Sequence, residues 1–174
     1  MKRIILAAAA ILSTTTFAAD AAMAEVTVKL TNMHICCKGC TNGIMKAVEG
    51  LDAVKVEVDQ DAEETTVTGA DVAAVQKAVD AIVAAGYHAS VVGDGITIKA
   101  ADAPAGKVKS LKVSNAHNCC GACNVAIRKA LQTVPGVTGD SCKSKAVEFE
   151  VTGDFEAKAV VAALEKAGFH VTAK

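Results

Sequence analysis

The sequence predicts an α+β protein: two ferredoxin-like β-α-β-β-α-β modules in tandem behind a signal peptide. Three observations carry that prediction. The stretch His34-Ile35-Cys36-Cys37-Lys38-Gly39-Cys40 returns as His117-Asn118-Cys119-Cys120-Gly121-Ala122-Cys123. His34, Cys36, Cys37, Cys40, Ile44, Lys46, Ala47 and Val54 all meet the same residue type 83 positions later, a fixed register that marks a duplicated unit. Within each copy the apolar spacing switches between the two-residue period of strands and the 3.6-residue period of helices.

The chain opens with Lys2 and Arg3, an apolar run from Ile4 to Leu12, and small residues ending in Ala22-Met23-Ala24. This is the build of a secretory signal peptide over residues 1–24, with Ala21 as a second cleavage position. The apolar run is far shorter than the ~20 residues a membrane span needs.

The first module, residues 25–99, begins with a half-buried strand in which Val26, Val28 and Leu30 alternate with polar residues. The cysteine cluster follows, then a helix over Thr41–Val48. Val54, Val56 and Val58 alternate again, and an acidic turn leads to a short strand over Thr65–Thr68. Asp71 caps a second helix carrying Val72, Val75, Val79 and Ile82, which Gly86 stops. Tyr87 to Val92 reads as the last strand, and Ile96 to Ile98 as an added one.

Residues 100–106, with Pro104, form the linker. The second module, residues 107–174, repeats the order. It has a strand over Val108–Val113 and a helix over Gly121–Gln132. A hairpin follows from Val137–Lys143 and Val147–Val151. Asp154 then opens a helix that Gly168 closes, and Phe169–Thr172 is the final strand. In this topology both cysteine loops, Cys142, and the Tyr87-His88 and Phe169-His170 pairs collect at one end of their modules.

Without residues 1–24 the chain carries sixteen basic and eighteen acidic side chains, a net charge of −2. Nothing in that balance, and no basic aromatic patch, points to nucleic acid. Residues 25–100 are net −5 and residues 101–174 net +3, which raises docking by complementary charge. Six of the seven cysteines sit in the two clusters, whereas a disulfide framework spreads its cysteines to staple distant loops.

A C-x-x-C at a helix start presents two thiols to one point and lets the helix N-terminus favour the thiolate. Convergent thiolates are soft donors for Cu(I), Zn(II) and other thiophilic ions. Cys37-Lys38-Gly39-Cys40, followed by Ile44 and Val48, resembles the heavy-metal-associated domain of copper chaperones, copper-pumping ATPases and periplasmic mercury-binding proteins. Cys120-Gly121-Ala122-Cys123, with Ile127 and Leu131, is similar to it in the same way. The resemblance covers nearly all of both modules. It implies that Cys37 with Cys40, and Cys120 with Cys123, are metal-binding pairs, and that Tyr87 and Phe169 lie beside the metal loops.

The chain departs from that family in three places. Ile35 and Asn118 stand where the family has Met. Each module adds a third cysteine, Cys36 or Cys119, and a histidine, His34 or His117. Three sulfurs and one imidazole are a tetrahedral zinc inventory, and the third sulfur also suits three-coordinate Cu(I) or Hg(II). The plainer readings are a local disulfide in each C-x-x-C and packing roles for Cys36 and Cys119. His88 and His170 read as solvated strand residues, Met33 and Met45 as packing, and Cys142, opposite Asp59 in the repeat, as an odd thiol without a role.

The sequence thus predicts an exported carrier, periplasmic or secreted, that takes a soft metal ion, Cu(I) first among the candidates with Zn(II) or Hg(II) behind it. The ion would pass by ligand exchange to a metal-transporting or metal-accepting protein. No catalytic constellation is visible, so an enzyme is not expected. Two alternatives stay open: an extracytoplasmic thiol–disulfide oxidoreductase, and a zinc or heavy-metal buffer with Cys3His sites.

Overall fold

Alternation in Val26, Val28 and Leu30 has a simple outcome: Val28 and Leu30 are buried while Thr27 and Lys29 face solvent. In the computed structural model residues 25–174 are described, and the signal peptide expected over residues 1–24 lies outside them. The first half contains β1 (Val26–Thr31), α1 (Lys38–Ala47), β2 (Val54–Asp59), β3 (Glu64–Gly69), α2 (Val72–Ala84) and β4 (Ser90–Val92). The second half contains β5 (Lys107–Ser114), α3 (Gly121–Gln132), β6 (Val137–Asp140), β7 (Glu148–Glu156), α4 (Ala157–Lys166) and β8 (Thr172–Ala173).

Each half forms a four-stranded antiparallel sheet, ordered β2-β3-β1-β4 and β6-β7-β5-β8. The register places Val28 opposite Val67, and Leu111 opposite Val151, in the centre of each sheet. The helices cover one face. Val75, Ala78, Val79 and Ile82 of α2 and Val160, Val161 and Leu164 of α4 are buried there. Burial of each such aliphatic side chain contributes roughly 1.5–3 kcal/mol. Asp71 caps α2 as expected, its carboxylate accepting from the Ala74 N–H at 2.7 Å.

Several elements differ from the sequence reading; among them β8 is Thr172–Ala173 rather than Phe169–Thr172, and β6 ends at Asp140 rather than Lys143. Helix α1 begins at Lys38, inside the cysteine motif, because Cys37 is its extended N-cap. Ile96–Ile98 is not a strand: the Gln76 amide takes both backbone groups of Thr97, donating to its carbonyl at 2.8 Å and accepting its N–H at 3.0 Å. Strand β4 is shortened to Ser90–Val92 because Tyr87 and His88 pair elsewhere. Asp154 does not open α4: β7 runs on to Glu156, with Phe155 buried and opposite Val108 in the sheet.

The halves meet along their α–β turns. Tyr87 and Phe169 form an antiparallel bridge. The His88 N–H donates to Gly168 O at 3.0 Å, and the His170 N–H donates to Gly86 O at 2.9 Å. Gly86 and Gly168 have φ of +91° and +84°. A Cβ on Gly86 would strike Asn115 O and His117 N, and one on Gly168 would strike His34 N, so each glycine lets the opposite cysteine loop approach. The apolar core is continuous through this contact. Complementary charge does not hold it: among the described residues the ion-pair contact across the halves is Glu165 with His88.

Candidate metal centre

The end-to-end docking brings both cysteine loops to one place. The sequence places a cluster at the exposed end of each module; in the structure the two ends face each other. Across the halves, Cys36 Sγ lies 3.5 Å from Cys120 Sγ and 3.5 Å from Cys123 Sγ. The equivalent distances from Cys119 are 3.7 Å to Cys37 and 3.5 Å to Cys40. Cys37–Cys120 and Cys40–Cys123, each residue with its own counterpart, are both 3.9 Å. Within the halves Cys36–Cys40 and Cys119–Cys123 are 3.7 and 3.6 Å, and Cys37–Cys40 and Cys120–Cys123 are 3.9 and 3.8 Å.

These distances obey a local two-fold axis that exchanges residues 83 apart. Adding the pairs Cys36–Cys37 and Cys119–Cys120, each within 4.8 Å, gives the twelve edges of a sulfur octahedron. Its opposite corners are Cys36 and Cys119, Cys37 and Cys123, and Cys40 and Cys120. All six thiols are free, as is Cys142.

Cys40 and Cys123 are fully buried, and the other four are partly buried. The Cys37 thiol is pulled down to about 7, chiefly by the Cys40 backbone N–H at the start of α1. Burial is the main force raising Cys36 and Cys119. Cys40 and Cys123 share a proton: donation from Cys40 holds Cys123 low, and serving as that donor holds Cys40 high. The cage therefore keeps several protons near neutral pH, and a metal entering it must release them.

The two histidines of the motif differ. His117 is buried, with Nδ1 2.9 Å from Gly86 O and Nε2 3.0 Å from His34 O. Its ring stacks on Tyr87 with centroids 3.9 Å apart and on Phe169 at 4.7 Å. Burial draws its pKa down, opposed by the Gly86 carbonyl. His34 is the freer ring: its Nε2 is buried without a hydrogen-bond partner. A ring nitrogen of His34 lies within 4.8 Å of Cys36 and Cys123 Sγ, and one of His117 within 4.8 Å of Cys40 and Cys123 Sγ.

Tyr87 and Phe169 sit at the cage, as the sequence resemblance implies. The Tyr87 hydroxyl donates to Cys40 O at 2.9 Å, possible because Gly43 leaves its path open. Ile35 and Asn118, in the positions of the family Met, point elsewhere. Ile35 is core, and the Asn118 amide donates to Lys143 O at 2.8 Å and Ala146 O at 3.0 Å, pinning the β6–β7 turn. Cys142 lies under that turn, 3.7 Å from Asn118 Nδ2, and is outside the octahedron. His88 and His170 are not solvated strand residues. Their rings are parallel with centroids 5.8 Å apart, because the paired turns bring them together across the halves.

A thiol loop that starts a helix on an antiparallel α/β sheet is the arrangement of a thiolate metal-binding module. Residues 110–170 match the heavy-metal-associated domain, so the second half contains one such domain, with Cys120 and Cys123 inside it. No curated protein matches the sequence. Among solved structures the chain is similar to the N-terminal soluble domains of Bacillus subtilis CopA, at 18% identity and TM-score 0.30, over 86% of this chain and 92% of that one. It is also similar to the regulatory subunit of aspartate kinase from Thermus flavus, at 11% identity and TM-score 0.30, over 82% of this chain and 92% of that one. Neither likeness is close enough to bear on function.

Proposed function

We propose that this protein is an exported soft-metal carrier that holds Cu(I) in one thiol cage shared by two heavy-metal-associated modules. The observation that carries the reading is the spacing of the sulfurs. Metal–thiolate bonds are about 2.3 Å. Ten of the twelve edges are 3.5–3.9 Å, so an ion at the centre would lie roughly 2.6 Å from each sulfur, too far for a soft ion. On the faces built only from those ten edges an ion lies about 2.0–2.25 Å from three sulfurs, close to that bond length, and three thiolates suit a trigonal Cu(I). Four of the faces touch only at corners. Two of the four carry the Cys36–Cys37 or Cys119–Cys120 edge, which lies within 4.8 Å; with those edges drawn in to about 3.9 Å the cage would hold up to about four ions, each sulfur bridging two.

Delivery follows from the exposed corner. Cys37 is partly exposed, and its thiol is pulled down to about 7, chiefly by the Cys40 backbone N–H. An incoming thiolate from an acceptor protein would displace a cage sulfur on the outermost ion, and the leaving thiol would take up a proton. A Cys3His zinc site in each half is less well supported, because both nitrogens of His117 face carbonyl oxygens. The test is an anaerobic titration of the reduced protein with Cu(I) and Zn(II) separately against competing chelators. Tight Cu(I), with zinc readily displaced, supports the carrier. Zinc held more tightly than Cu(I) would turn the reading to a buffer. Binding of neither, with reversible thiol oxidation, would turn it to disulfide exchange.

A further inference from the structure

Outside the cage, three metal-ligating side chains converge at the other side of the two-fold contact. His88 Nδ1 and His170 Nδ1 are 3.5 Å apart. Glu165 Oε1 lies 3.7 Å from the first and 3.9 Å from the second. All three are partly buried, with side-chain exposures of 20%, 16% and 13%. The Ala101 backbone N–H donates to the same carboxylate oxygen at 2.7 Å and fixes it. A cleft lined by Asn32, Ser90 and Lys166 reaches His88 and Glu165 from solvent.

From these contacts we infer a second metal site: His88, His170 and Glu165 bind one divalent ion of the zinc type, using none of the six thiols. Three donor atoms within 3.9 Å of one another repel unless a cation or a proton lies between them. Donors about 2.0–2.2 Å from a tetrahedral ion are roughly 3.3–3.6 Å apart. The observed 3.5–3.9 Å needs a contraction of only a few tenths of an ångström. Two imidazoles and one carboxylate are borderline donors that suit Zn(II) or Co(II) rather than Cu(I), and they leave a fourth position facing the cleft for water.

Each half supplies one histidine from the same repeat position, so an ion there ties the halves together across the contact that also builds the cage. The repeat counterpart of Glu165 is Val83, so only one carboxylate is present and the site is single.

The test records ¹H–¹⁵N spectra of the histidine rings of the reduced full chain as Zn(II) is added stepwise until the thiols are filled and then by one further equivalent, alongside native mass spectrometry. The expected result is that the Nδ1 signals of His88 and His170 shift together. His170→Gln and Glu165→Gln should each lose one zinc per chain, or weaken that site at least tenfold, while cysteine-bound metal is unchanged. Zinc filling only the thiols while both rings stay unmoved would overturn the site. So would a ring signal that titrates with pH but ignores zinc, the mark of a shared proton. Glu165→Gln keeps an oxygen for the Ala101 N–H, so a normal melting curve for this variant separates lost binding from lost folding. Because the cage is read by thiol-bound metal and this site by ring nitrogens, failure of either leaves the other measurable.

Discussion

His117 Nε2 lies 3.0 Å from the backbone carbonyl oxygen of His34, its counterpart one repeat earlier. Both rings lie near cage thiols, but the His117 nitrogens also face two backbone carbonyls across the docked loops, whereas His34 Nε2 has no hydrogen-bond partner. His117→Ala should cost about 1–3 kcal/mol, because it strands whichever of the Gly86 and His34 carbonyls the neutral ring donates to and removes two aromatic stacks. His34→Ala should cost less stability and should instead change metal affinity at the cage. Urea unfolding of both variants, metal-free and reduced, decides it; equal losses would contradict the asymmetry.

Gly43 and Tyr87 form a second coupled pair. A Cβ at position 43 would collide with the Tyr87 hydroxyl, whereas the second half has Ala126 and Phe169 at the equivalent positions. Gly43→Ala alone should destabilise by about 1–2 kcal/mol, through the collision and the loss of the bond to Cys40 O. With Tyr87→Phe added, the collision disappears and the helix gains alanine's propensity, about 0.5–1 kcal/mol. A double-mutant cycle should show a coupling of at least ~1 kcal/mol. Strict additivity would mean the hydroxyl moves aside freely.

Gly168→Ala should open the contact between the halves. The residue has positive φ, and its Cβ would strike the His34 loop directly. The expected outcome is faster alkylation of Cys36 and Cys123 by a bulky maleimide, with both sheets still folded by circular dichroism. Unchanged labelling rates would show that the halves dock without this glycine.

Stability should fall in mild acid. Burial holds His88, His170 and His117 below the ordinary histidine value of 6.5, with Glu165 facing the first two and His34 facing the third. The unfolded chain therefore binds more protons than the folded one as pH drops below 6.5. The stabilisation is complete above that value and is lost as pH falls through the folded values. The metal-free reduced protein should melt lower at about pH 5.5 than at about pH 7.5, and a His88→Gln/His170→Gln variant should show a smaller drop. A higher melting temperature at the acid end would reverse the sign.

Much of this was legible in the sequence. The repeat and the period switches placed all eight principal strands and all four helices within a few residues, because strong alternation as in Val26-Val28-Leu30 leaves a strand few other solutions. The six cysteines were legible as candidate ligands. Their meeting was not, because docking rests on backbone bonds between Gly86-Tyr87-His88 and Gly168-Phe169-His170, and backbone pairing leaves no periodic signature. Those two triplets repeat as clearly as the cysteine motif, so the signal for His88 and His170 was present. Glu165 has no counterpart to mark it. The Ile96–Ile98 reading failed because a distant side chain, Gln76, satisfied the backbone that a neighbouring strand would otherwise have taken.

The central claim is that six thiols form one cage within a single chain, and it is tested most directly by stoichiometry. Reduced protein would be titrated anaerobically with Cu(I), with native mass spectrometry counting ions per chain and iodoacetamide reporting which cysteines remain reactive. A shared cage predicts a monomer that loads more than two Cu(I) ions cooperatively, with all six thiols protected together and only Cys142 outside the pattern. Two ions bound independently, with Cys36 and Cys119 still open to alkylation, would contradict it and return the protein to two separate C-x-x-C sites.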